Sequence, residues 1–246
     1  MLHEDRFDTG EVALNYAEGL DAGSPLVMIH GGASRWQGFL PIIPALAADW
    51  RVYALDLRGH GRSGWTPHCY HLEDYTADLL TFLDRRVASP TVLMGHSLGG
   101  KIALLAAARA PGSVRALILG DTPLTLTGMR ERITETAEEA DRRNARAEQP
   151  HDPTAGGTAL ARDFDAVFAA WRPELVLPAI TCPVLFLQAD PAHGGAVSDD
   201  ALAQTLPLLP DVQLVSFQGL SHGLWGDDAT QVLAAIIAFL ATLPPE

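Results

Sequence analysis

The stretch from Thr91 to Ala110 constrains the fold more than any other part of the chain. Thr91-Val92-Leu93-Met94 is a short apolar run of strand character, and an Ala/Leu-rich helical run extends to about Ala110. Between them stands Gly95-His96-Ser97-Leu98-Gly99. A chain passes from strand to helix this quickly only through a tight turn with strained backbone angles at the central serine. Glycines two residues before and after remove the side chains that would collide there. Such a turn lifts the Ser97 hydroxyl above the sheet edge. It also aims the free N–H groups and positive end of the following helix at the space beside that hydroxyl. The plainer reading is a helix N-cap serine between two turn glycines, and the rest of the chain has to discriminate.

Other segments repeat the strand-then-helix alternation. Leu26-Val27-Met28-Ile29, Val52-Tyr53-Ala54-Leu55, Val114 to Leu119, Pro183 to Leu187 and Val212 to Phe217 read as strands. Continuous apolar runs of this kind suit strands buried on both faces of a parallel sheet. Helical segments lie at Trp36 to Ala48 (with Pro41 and Pro44 in its first turns), Leu72 to Val87, Ser198 to Leu206 and about Ala229 to Leu243. Residues 4 to 18 suggest a hairpin around Thr9-Gly10-Glu11, and Asp21-Ala22-Gly23-Ser24-Pro25 a second turn. The expected class is α/β, with a doubly wound, mostly parallel sheet built from residues 1–121 and 181–246.

The alternation pauses over residues 122–180, where no strand is expected. Met129 to Gln149 is a charged helix with a thin apolar face of Met129, Ile133, Ala137 and Ala140, broken by Gln149-Pro150-His151-Asp152-Pro153 and Gly156-Gly157. Thr158 to Trp171 carries a stronger face, Leu160, Phe164, Val167, Phe168 and Trp171, at helical spacing. That face needs something apolar beneath it, which favours a small helical cap over a substrate pocket rather than a surface excursion.

Composition narrows the function class. The chain of 246 residues fits one large domain, and at 48% hydrophobic it can fill a core. Lys+Arg 17 against Asp+Glu 30 gives a net charge of −13, a surface that repels nucleic acid and anionic membranes. Cys69 and Cys182 have no C-x-x-C partner, and the N-terminal residues lack an apolar signal core. The longest apolar stretch, Val232 to Leu243, is too short to span a bilayer. A cytoplasmic protein with two reduced thiols, a small-molecule substrate and no cofactor is expected, with monomer and homodimer both open.

Ligands of parallel sheets gather at the carboxyl ends of the strands. Those ends carry His30-Gly31-Gly32, Asp56, Ser97, Asp121, Asp190 and His222. A nucleophile, acids and a base therefore converge on one edge, in the chain order Ser, Asp, His that a G-x-S-x-G elbow requires. A serine hydroxyl needs a base, His222, and the imidazole needs a carboxylate on its other nitrogen to fix its tautomer. The Leu98 N–H, directly after the nucleophile, and the Gly32 N–H suit an oxyanion hole.

With His30-Gly31-Gly32, Asp56-Leu57-Arg58-Gly59-His60-Gly61-Arg62-Ser63, Gly95-His96-Ser97-Leu98-Gly99 and Gly219-Leu220-Ser221-His222-Gly223, the chain resembles the α/β-hydrolase fold superfamily over nearly its whole length. The resemblance implies a triad of Ser97, an acid and His222, with the cap at about 122–180. The family often sets its acid in a pattern like G-x-x-D after the strand. Here Ala189 stands in place of that glycine, Ala192 in place of the aspartate, and Asp190 comes early. Asp190 is the expected acid and Asp121 its rival. His30 and His60 are expected to brace loops, and Asp56 and Arg58 to hold the loop before Gly59. His193 beside Asp190 lacks the second cluster that a metal site needs. Substrate-lining roles are expected for Ser34, Trp36, His96, Phe164, Phe168, Trp171 and Trp225, with a core role the alternative for Trp36 and Trp225 and packing on a neighbouring strand for His96.

The expected reaction is hydrolysis of a carboxylic ester or lactone through an acyl-enzyme at Ser97. The same triad would serve carbon–carbon bond hydrolases and perhydrolase or haloperoxidase-like members. A small-molecule receptor or catalytically weak relative is the alternative of another class.

Overall fold

The structure is a computed structural model that describes residues 2–19, 23–147, 150, 152, 157–226 and 228–244. The turn expected at Asp21-Ala22 and most of the break expected between Gln149 and Gly156 lie outside the described residues.

Eight strands form one sheet: β1 (His3–Asp8), β2 (Ala13–Glu18), β3 (Pro25–Ile29), β4 (Arg51–Leu55), β5 (Thr91–His96), β6 (Val114–Gly120), β7 (Val184–Gln188) and β8 (Val212–Ser216). Their order is β1-β2-β4-β3-β5-β6-β7-β8. The first two strands pair antiparallel with each other and β2 with β4, while every pairing from β4 through β8 is parallel. Order reverses between β3 and β5, the switch point at which the loops leaving two neighbouring strands diverge and open a crevice. Registers align the strand ends: Ile29 pairs with Gly95 and Gly95 with Leu119, and Gly120 pairs with Leu187. The loops after β3, β5, β6 and β7 therefore start at nearly one height.

The apolar runs are buried on both faces because their residues alternate between two cores. Val27, Ile29, Leu93, Leu117, Leu119 and Phe186 pack with α2 (Leu72–Phe82), α3 (Leu98–Arg109) and the 164–177 segment. Leu26, Met28, Val92, Met94, Ile118 and Leu187 pack on the other side with residues 36–46 and the last helix. The helix expected over Trp36–Ala48 is a 3-10 turn (Trp36–Phe39) and a short α1 (Ile43–Leu46). Pro41 and Pro44 remove N–H donors that a continuous helix would need. The charged helix is α4 (Met129–Ala145). The second cap helix is interrupted, as α5 (Gly157–Arg162) and α6 (Phe164–Val167), and Trp171 falls beyond it. Asp163 leaves helical geometry at the break and Arg162 grips its carboxylate with two nitrogens. The apolar face survives this interruption: Phe164, Phe168 and Trp171 are all buried. Short α7 (Pro173–Val176) leads back to the sheet, followed by α8 (Asp199–Thr205) and α9 (Thr230–Leu240). Among the described residues no helix is long and apolar enough to cross a membrane.

Lys101, one turn into α3, is fully buried, and among the described residues its Nζ has no hydrogen-bond partner. It lies 4.7 Å from the ring centroid of Trp171, whose indole N–H donates to the Leu124 carbonyl. Burial lowers the Lys101 pKa to about 7.

Candidate active site

Ser97 sits between β5 and α3 with φ 51 and ψ −113. A non-glycine residue in such a region stores on the order of 1–3 kcal/mol, and its neighbours show what holds it there. A Cβ on Gly95 would approach the Gly99 carbonyl oxygen to 2.4 Å, and one on Gly99 would reach the Ile29 carbonyl oxygen at 2.1 Å. The next residue, Gly100, has the same property against Thr122 Oγ1, at 1.9 Å. The glycines thus let α3 start directly against the ends of β3 and β6. The Ser97 N–H donates to the Gly120 carbonyl at 2.9 Å, tying the elbow to β6.

His222 lies on the loop after β8, and its Nδ1 is 2.6 Å from Asp121 Oδ2. A carboxylate only accepts, so Nδ1 carries the proton, and in the neutral ring Nε2 then holds the lone pair. Asp121 follows β6 at φ 39 and is 0% exposed. Its carboxylate also accepts from the Ala196 N–H at 2.6 Å and the Ala189 N–H at 3.3 Å. Three donors on a buried carboxylate fix its direction.

Asp190, the expected acid, is placed elsewhere. Its carboxylate caps the 3-10 turn Pro191–His193, accepting from the Ala192 N–H at 2.8 Å. It also takes the Gly219 N–H and the His193 Nδ1–H, each at 2.8 Å. These donors hold its pKa below the usual aspartate value, the Gly219 N–H most of all. The reason is local: Pro191 forces the chain into a turn right after the strand, and the turn points the carboxylate away from His222. Asp190 instead ties the end of β7 to the loop bearing His222.

Ser97, Leu98, Gly32 and His222 line one cavity of about 560 Å³. Leu98 opens α3, where the first N–H groups have no intrahelical acceptor. Gly32 precedes Ala33, itself at φ 56, in the loop after β3. One face of α4 forms the opposite wall: Met129, Arg132, Ile133, Thr136, Ala140 and Arg143.

A family model described as alpha/beta hydrolase fold matches residues 24–179. The chain belongs to the α/β-hydrolase fold family. It is 29% identical to 2-(acetamidomethylene)succinate hydrolase of Mesorhizobium japonicum, across 88% of this chain and 87% of that one. The crystal structure of E-2-(acetamidomethylene)succinate hydrolase superposes with a TM-score of 0.82 at 25% identity, covering 98% of this chain and 100% of the other. A shorter match, 36% identical over 103 residues, is to 2-hydroxy-6-oxo-2,4-heptadienoate hydrolase of Pseudomonas putida, and takes in 40% of this chain and 37% of that one. With hydrolases matching across the whole fold, this α/β-hydrolase is an enzyme of the hydrolase class.

Of the residues expected to line the substrate space, only Phe168 reaches this cavity. Ser34 borders a separate, smaller pocket beside Arg143 and Asn144. Trp36 is buried in the core around α1, with its main-chain N–H on Asp56 Oδ1 at 2.8 Å. Trp225 packs between Phe39 and His96, at ring distances of 5.3 and 5.1 Å. Phe164 and Trp171 face the core beneath the cavity wall. His96 turns from the cavity and meets the His222 main chain. Trp36, Trp225, Phe164 and Trp171 thus bury their rings in the two apolar cores. Asp56 accepts from Asn15, Trp36 and Arg62, and Arg58 grips Asp78 with two nitrogens, so both shape the loop around Gly59. His30 and His60 are buried, with rings 5.2 Å apart, and bond to main-chain atoms at Leu57 and Arg58.

The cavity also takes residues that sequence pattern alone did not assign to it: His68, Tyr70 and His71 from the loop before α2, and Arg132, Thr136 and Arg143 from α4. For α4 the signal was present, because these three share helical spacing with Met129, Ile133 and Ala140. The loop before α2 has no such period.

Proposed function

We propose that this enzyme is a serine hydrolase that cleaves carboxylic esters or lactones through an acyl-enzyme at Ser97, with His222 as base and Asp121 as the acid behind it. The observation that carries the reading is the 2.6 Å contact of His222 Nδ1 with the buried Asp121, on a histidine that shares its cavity with the strained Ser97. His222 Nε2 takes the Ser97 hydroxyl proton as Oγ bonds to the acyl carbon. The carbonyl oxygen becomes an oxyanion held by the Leu98 and Gly32 N–H groups. As the tetrahedral intermediate collapses, the bond to the leaving oxygen breaks and that oxygen takes the proton from Nε2. Water then repeats the sequence on the acyl-enzyme and releases the acid. Asp121 holds the His222 ring through its Nδ1–H and stabilises the transient imidazolium.

The test uses ethyl butyrate and short p-nitrophenyl esters with wild type and Ser97→Ala, together with a serine-reactive phosphonate followed by peptide mass spectrometry. Expected are turnover that Ser97→Ala abolishes and a phosphonyl mass on the Ser97 peptide. Label on another residue, or equal turnover by the mutant, would remove the reading in favour of a receptor or a different nucleophile.

A further inference from the structure

The cavity wall opposite Ser97 is charged in a way the rest of the molecule is not. The protein carries a net charge of −13. Yet the lining includes Arg132 and Arg143 against a single carboxylate, Asp163, among the described lining residues. That carboxylate is already occupied by Arg162, through contacts of 2.9 and 2.6 Å. Most arginines elsewhere pair with acids: Arg58 with Asp78, Arg109 with Glu73, Arg130 with Asp165. Arg132 does not. Its guanidinium donates to the Gly195 and Gly194 carbonyls at 2.8 and 2.9 Å, and among the described residues no carboxylate lies within ion-pair distance of it.

Two main-chain carbonyls hold the guanidinium in place without neutralising it, and they use two of its five N–H donors. The loop that holds it is also part of the catalytic arrangement. Gly195 precedes Ala196, whose N–H binds Asp121, and Ala196 itself lines the cavity. A fixed, uncompensated guanidinium in a concave and largely apolar site suits a planar carboxylate with bidentate geometry. Arg143, farther along the same face of α4, adds a second positive charge to the wall, only loosely offset by exposed Glu139 at 3.9 Å. Such a wall draws anions into a cleft whose surrounding surface repels them.

We infer that the substrate carries a free carboxylate beside its scissile acyl group, and that Arg132 is the residue that recognises it. This rests on the serine-hydrolase reading above and deepens it. The carboxylate can belong to the acyl part or to the leaving group, and the two are distinguished by substrate. Arg143 assists at longer range.

The experiment follows ester cleavage by pH-stat. Monoethyl glutarate carries the carboxylate in the acyl part and 3-(butyryloxy)propanoate in the leaving part; ethyl valerate and propyl butyrate are their neutral counterparts. Wild type is expected to prefer one acid ester over its neutral counterpart in kcat/KM. Arg132→Met should lower that preference about ten- to a hundredfold, the range for removing a charge-assisted hydrogen bond from a buried site. Arg132→Lys, which keeps the charge, should retain part of it. A merely structural role for Arg132, acting through the 194–196 loop and Asp121, would lower charged and neutral esters alike and leave the ratio unchanged. That result overturns the inference, as does a wild type with no preference for either acid ester. If no ester is turned over, calorimetric binding of glutarate to Ser97→Ala decides: binding weakened by Arg132→Met sustains the inference, and no binding ends it. Activity that survives in Ser97→Ala would count against the serine reading instead.

Discussion

His96 Nε2 lies 2.7 Å from the main-chain carbonyl of His222. The carbonyl only accepts, so the His96 ring donates, and its other nitrogen is bare. The two rings stand 4.6 Å apart, with Trp225 closing the far side of His96. His96, the residue before Ser97 in the elbow, therefore reaches across the sheet edge and holds the loop that carries His222.

Burial, and secondarily the nearby His222, lowers the His96 pKa to about 4. The unfolded state binds its proton near 6.5, so between about 6.5 and 4 the unfolded state holds more protons and stability falls as pH falls. In His96→Phe this part of the pH dependence is expected to flatten, as read by urea unfolding at pH 7 and pH 5. Removing the hydrogen bond should also cost about 1 kcal/mol in positioning His222, roughly fivefold in kcat on a short ester. A variant with unchanged kcat would show that the loop stands without this bond.

For the acid, Asp121→Asn is expected to lower kcat by about 10³–10⁴-fold, because an amide no longer enforces the His222 tautomer. Asp190→Asn should instead cost about 1 kcal/mol of stability, through weaker hydrogen bonds to Ala192, Gly219 and His193, with less than a tenfold loss of kcat. Steady-state kinetics on both variants, with circular dichroism to confirm folding, settles the assignment. A larger kcat loss in Asp190→Asn would reverse it.

Lys101 should oppose the stability of the folded protein. Its pKa is near 10.5 when unfolded and lowered to about 7 when folded, by burial. Between those values the unfolded state binds more protons, so this group's penalty shrinks as pH rises from about 7 to 10.5 and is greatest below 7. Lys101→Met is expected to raise the unfolding free energy at pH 7 by about 1–4 kcal/mol, with the gain fading toward pH 10. Calorimetry of both proteins across that range checks it. A destabilised Lys101→Met would mean that the contact with Trp171 outweighs desolvation.

Gly99→Ala is expected to prevent α3 from docking. Its added carbon would stand 2.1 Å from the Ile29 carbonyl oxygen, and main chain on both sides leaves nothing to yield. A loss of several kcal/mol, read as insoluble or unfolded protein, is the expected result. Gly112→Ala, where nothing stands within 4 Å of the added carbon, should fold normally and serves as the control.

Local sequence determined much of this protein. The Gly95–Gly99 spacing specified an elbow, since no other residue fits there, and apolar runs and helical periods specified a doubly wound sheet with an insertion after β6. Each signal is carried by residues a few positions apart, where sterics and periodicity act directly. Tertiary structure decided which carboxylate faces His222. Asp121 and Asp190 both end strands, and only the turn forced by Pro191, with the Ala196 N–H arriving from the next loop, turns one of them outward and buries the other. It also decided the pocket. Trp36, Trp225, Phe164 and Trp171 had the composition of lining residues, but the two cores on either side of the sheet claimed them. The face of α4 that reaches the cavity bears arginines, because its charged side chains meet an open space and not a packed neighbour.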